Sequence, residues 1–271
     1  MKTNHYSPDS NRLSVLTATV LLAFALARLL ATSAYFLSFQ VFGRIIRFEF
    51  DLRVVIVLLA SGLTATGMDW LLRSHPMMKG KRTVEHWFVP MLTALVLGVP
   101  LYLLPSGTLW WWVGFSAGGI LLVLVFWAEY VVVSSGDTSY PTAMVVLTVT
   151  SFALYLILAL ALRYANTRLV FLAPAFFGAT FFVSLRTLHL RLGKQWDVAW
   201  SAGIALIGIQ LAAGLHYLPI SPIRYGVFLL APLYALTSLA ASLLEGMPLR
   251  IAAVEPVTML ILIWGAGIWL G

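Results

Sequence analysis

The sequence predicts an all-α fold, a polytopic integral membrane bundle of about nine transmembrane helices. Three observations carry that prediction. Apolar residues make up 61% of the 271 residues and charged residues 10%, for a mean hydropathy of +0.94. Apolar runs of about 20 residues, enough to cross a ~30 Å hydrocarbon core, recur from residue 13 to residue 271. The runs lack strict two-residue alternation and barrel-like turn spacing, so helices are what lets their backbone satisfy its own hydrogen bonds in lipid.

Each span has its own punctuation. The first, 13–41, follows Lys2 and Arg12. Small residues at 31–34 give the start a faint likeness to a signal peptide, but Arg28 interrupts the run and apolar residues continue to Phe42, so it reads as an uncleaved helix. Residues 43–53 alternate apolar and charged side chains over their second half. They read as a short strand or, preferably, as a segment lying flat at the headgroups. Span 54–72 closes at Arg73 and the polar stretch 73–86, and span 86–104 closes at Pro105. Span 109–133 opens on Trp110, Trp111 and Trp112. Spans 141–162 and 169–188 are separated by Arg163 and Arg168, and span 197–216 opens at Asp197. Span 224–244 runs from Arg224 to Glu245, and span 252–270 is the last. Pro90, Pro174 and Pro232 fall inside spans and are expected to kink them.

One membrane-embedded domain accounts for all 271 residues, and no polar stretch is long enough for a separate soluble domain. The absence of cysteine excludes disulfides, thiolate metal sites and cysteine nucleophiles. The net charge of +7 belongs to loops facing anionic headgroups rather than to nucleic acid binding. Lys and Arg are more numerous at the N-terminus and in the loops after even-numbered spans, which predicts a cytoplasmic N-terminus and an outer C-terminus. The expected location is a cell membrane, bacterial or archaeal. The expected partners are the lipid bilayer and proteins of a membrane complex, with no nucleic acid, no cofactor and no metal.

An internal repeat of about 114 residues is also suggested. Arg53 matches Arg168, Arg73 matches Arg186, His75 matches His189, Gly80-Lys81 matches Gly193-Lys194, Trp87 matches Trp200, and Glu129 matches Glu245. The repeats would cover 13–133 and 141–244, in the same orientation, with 252–270 as an added helix. Chance similarity between amphiphilic segments explains the matches as well, so both readings stay open.

Ionisable residues at membrane depth are costly and ask for partners. Asp69, Glu129, Glu245 and Glu255 fall near the cytoplasmic ends of their spans, at the level of His86, Arg186, His189 and Asp197. They read either as a polar vestibule that binds a cation or relays protons, or as static pairs: Asp69 with Arg73, and Glu129 and Glu245 with Arg73 and Arg186. Arg28 falls near mid-bilayer on the first span and needs a partner that the sequence does not name. Gly114–Gly118 matches the G-x-S-x-G pattern of serine hydrolases, but it lies within an apolar helix. His216 could complete a serine–histidine dyad with Ser116, yet nothing further resembles a protease, and small residues in membrane helices usually serve close packing. The five histidines show no metal-binding spacing.

Three functions remain. The foremost is a non-catalytic membrane subunit or scaffold that binds lipid, pigment or a partner complex. The second is a transporter or channel-like protein with a cytoplasm-facing vestibule. The third, a lipid-modifying enzyme, lacks a recognisable catalytic constellation.

Overall fold

The structure is a computed structural model. It describes residues 8–29, 35–41, 44–50, 52–78, 83–105, 108–134, 136–193 and 196–269, with side chains from residue 55 on and in 8–29. The charged start at Lys2, the small residues 31–34, the loop pair Gly80-Lys81, Lys194 and the Arg53 side chain lie outside the described residues. Among them, nine helices are long and apolar enough to cross a membrane. They are α1 (Ser10–Leu29), α2 (Leu52–Leu72), α3 (Phe88–Leu103), α4 (Leu109–Val132), α5 (Tyr140–Tyr164), α6 (Leu169–Arg191), α7 (Val198–His216), α8 (Pro222–Leu244), and a ninth made of the short α9 (Leu249–Ala252) and α10 (Val254–Trp269). The chain is a helical membrane protein.

The first span departs from expectation. The helix ends at Leu29, and residues expected to continue it form strand β1 (Tyr35–Val41), antiparallel to β2 (Arg44–Phe50). Tyr35 opposes Phe50 and Val41 opposes Arg44. Tyr-Phe-Leu-Ser-Phe-Gln-Val is as apolar as a helix but rich in aromatic residues, and short apolar runs do not distinguish strand from helix by periodicity. The alternating charges of β2 therefore mark a hairpin strand rather than a segment lying flat at the headgroups. Pro90 lies in the first turn of α3, where no intrahelical donor is lost; Pro100 is the interior proline of that helix. Pro174 and Pro232 are interior, as expected.

The contacts divide the chain into two compact units, residues 1–143 and 144–271. In the first, α1 packs on α2, α3 and α4 around Leu16, Val20, Phe24, Met68, Leu122 and Phe126. Small residues let these helices approach. A Cβ on Gly98 would sit 2.4 Å from Val57 Cγ1, and one on Gly119 would sit 3.1 Å from Leu21 Cδ1.

In the second unit α6 packs on α7 and α8, and α8 on α10. Rings of Tyr155, Phe176 and Tyr225 meet edge to face at 5.7 and 5.9 Å, joining α5, α6 and α8. The Arg163 guanidinium at the end of α5 donates to the carbonyls of His216 at 2.9 Å and Leu218 at 2.8 Å, which caps the end of α7. Helix α8 begins at Ser221, whose hydroxyl accepts the Arg224 N–H, followed by Pro222 with its preset φ. It ends at Gly246, whose φ of +84° lets Met247 N–H reach back to the Ser242 carbonyl. That stop places Glu245 at the end of α8.

Candidate functional site

Of the acidic residues, Asp69 and Glu129 belong to the first unit and Glu245 and Glu255 to the second. In the first unit the short 3-10 turn Val84–His86 leads into α3 and carries Glu85 and His86. His86 is 2% exposed and Glu129, on α4, is fully buried. His86 Nδ1 lies 2.7 Å from Glu129 Oε2, and its Nε2 lies 3.2 Å from Glu85 Oε1. One imidazole thus bridges a buried carboxylate and a partly exposed one. A neutral ring has one N–H, so hydrogens on both lines require a further proton shared among the three groups.

Asp69 and Arg73, one turn apart on α2, form a 2.7 Å pair, and Asp69 also accepts the Thr83 hydroxyl. Arg73 therefore pairs with Asp69 and not with Glu129. His75, between α2 and the 3-10 turn Pro76–Met78, is buried. Its Nδ1 accepts the Met77 N–H at 3.2 Å and its ring meets Tyr130 edge-on at 4.7 Å. Burial pushes the imidazole below its ordinary pKa, and nearby His86 adds to this while Asp137 opposes it. Arg28 lies in the last turn of α1, not at mid-helix, because α1 stops at Leu29. A cation is favoured at a helix C-terminus. It lines a small pocket with Phe24, Tyr102 and Trp111.

In the second unit Glu245 pairs with Arg191 at 2.8 and 3.2 Å, not with Arg186. Arg191 is the last residue of α6, level with the end of α8, whereas Arg186 lies about 7.5 Å deeper along the helix. Arg186 is 1% exposed, and His189 is buried and stacks on Trp196 at 4.1 Å. Glu255, in the first turn of α10, accepts the Tyr234 hydroxyl at 2.5 Å and the Ser238 hydroxyl at 2.6 Å. Arg191 Nη1 makes a longer 3.5 Å contact to Ser238, and Nη2 donates to Ser242 at 3.2 Å.

Arg191, Glu255, Tyr234 and Ser238 stand at one wall of a cleft of about 310 Å³ between α5, α6, α8 and α10. Val145, Val149, Phe152 and Leu190 supply apolar lining. Glu255 was a sequence candidate. Arg191, Tyr234 and Ser238 were not, because no local pattern says which helix ends meet. The G-x-S-x-G stretch lies inside continuous α4, without the strand-to-helix elbow that activates such a serine. Among the described residues no group of three or more His, Asp or Glu is placed to hold a metal ion.

Residues 31–270 match a family described as "Protein of unknown function (DUF5656)". The chain belongs to that family. No curated protein and no solved structure matches it.

Proposed function

We propose that this chain is a non-catalytic membrane subunit or scaffold that holds a lipid in the cleft of its second unit. The observation that carries the reading is the cleft itself: apolar walls, with Arg191 and Glu255 at its polar end. Those polar groups are engaged with Glu245, Tyr234 and Ser238, an arrangement suited to holding a headgroup and one that supplies no activated nucleophile. The test is native mass spectrometry of the purified chain. Retained lipid is expected on the wild type and loss of it from Val149→Trp, which fills the cleft from an exposed lining position. A wild type that carries no lipid, or a variant that keeps all of it, overturns the proposal.

A second reading, a transporter, draws on the Glu85–His86–Glu129 bridge, which connects a buried carboxylate to a partly exposed one. It requires that flux in proteoliposomes stop in Glu129→Gln. In either reading the N-terminus is cytoplasmic and the C-terminus outside. The division of the chain at residue 143 supports a tandem repeat of four-helix halves with the last span as an addition.

A further inference from the structure

We infer that the cleft of the second unit selects lipids whose headgroup is a zwitterionic phosphate ester of a primary amine. This rests on the lipid reading above and adds what the headgroup must be. The charge at the polar end decides it. The Arg191 guanidinium grips both oxygens of Glu245 at 2.8 and 3.2 Å, so those two charges cancel. Glu255 then carries the remaining charge, and it is exposed.

Its two oxygens each accept one short hydroxyl bond, from Tyr234 and Ser238. A carboxylate has about four acceptor sites, so each oxygen can still accept an N–H. An ammonium group provides such donors, and a quaternary ammonium does not. The phosphate belongs at Arg191, whose Nη1 is held by a 3.5 Å contact alone and stays nearest to free of its donors. Both side chains line the same cleft, at the first turn of α10 and the last residue of α6, where the polar headgroup layer meets these helices. The acyl chain follows Val145, Val149 and Phe152 along α5, about 18 Å from its start at Phe152.

The full chain, purified and stripped of lipid, is offered equal amounts of dioleoyl phosphatidylethanolamine, phosphatidylcholine and phosphatidylglycerol, and bound species are counted by native mass spectrometry. Phosphatidylethanolamine is expected to exceed phosphatidylcholine roughly tenfold, the worth of one hydrogen bond to a charged group. Glu255→Gln is expected to abolish the preference, bringing the phosphatidylethanolamine to phosphatidylcholine ratio to about one. Tyr234→Phe, which removes a neighbour but keeps the charge, is expected to retain it. Equal binding of the lipids, a preference for phosphatidylglycerol, or a preference that survives in Glu255→Gln overturns the inference while the cleft reading stands. Binding of none of the three overturns both.

Discussion

His86 stands between Glu129, which is fully buried, and Glu85, and that position sets how much it matters. Taking the ring away removes the hydrogen-bond partner that the two carboxylates share, and losing a partner of a buried polar group costs about 1–3 kcal/mol. His86→Ala is therefore expected to lower the melting temperature strongly, read by thermal unfolding in nanodiscs. Arg73 makes an equally short bond to Asp69, yet its side chain is 75% exposed. Exposed pairs are worth about 0–1 kcal/mol, so Arg73→Ala is expected to shift melting little. Bond length alone does not separate these two residues; burial does. His75 adds a pH dependence with a definite sign. The fold holds its ring neutral, through burial and through proximity to His86, against the opposing pull of Asp137. The unfolded chain takes up a proton as pH falls through the ordinary value of 6.5, while the folded chain does so lower. Stability from His75 is thus complete above 6.5 and is lost as pH falls below it. The drop in melting temperature between pH 7.5 and 5.5 is expected to be smaller in His75→Gln, whose amide oxygen can still accept the Met77 N–H. An equal drop in the two proteins means that His75 does not titrate with folding.

At the scale of elements, helix existence was readable because length and hydropathy carry it, and spans two to nine emerge within a few residues of expectation. The first span is the exception, because Tyr35–Val41 has the hydropathy of a membrane helix and only its pairing with Arg44–Phe50 makes it a strand. Pairing is not a local property. The same reason hid the placement of Arg28, which reads as mid-bilayer if the helix runs to residue 41 and as a last-turn cation once it stops at Leu29. Glycines show the converse case, in which type is visible and role is not. Gly98 and Gly62 look alike in sequence, but a Cβ on Gly98 meets Val57 Cγ1 at 2.4 Å and Cγ2 at 2.9 Å, and one on Gly62 meets nothing within 4 Å. Val57 is β-branched and stiff, so α2 and α3 must move apart. Gly98→Ala is expected to cost about 1–3 kcal/mol by overpacking. Gly62→Ala is expected to be neutral or slightly stabilising, since alanine is the better helix former. Thermal unfolding of the two variants side by side checks the pair, and equal shifts would remove the close-packing account of Gly98.

For the whole molecule, the candidate carboxylates were legible as costly groups near helix ends, but their partners were not. Glu245 meets Arg191 and Glu255 meets Tyr234 and Ser238 because three helix ends converge in the second unit, and no spacing along the chain encodes that convergence. Orientation is the reverse case, carried by the charge count and independent of any contact. The excess of Lys and Arg at the N-terminus and after even-numbered spans predicts that the α4–α5 loop faces the cytoplasm and the α5–α6 loop faces outward. The absence of cysteine makes a direct test simple, since any single introduced thiol is the sole one. Thr138, between α4 and α5, and Ala165, just past the end of α5, are both exposed. In intact cells a membrane-impermeant maleimide is expected to label Ala165→Cys and to label Thr138→Cys only after permeabilisation. The reverse pattern inverts the topology without touching the fold. Labelling of both from outside would mean that α5, with 25 residues, does not cross the membrane, against the physics of its length and hydropathy.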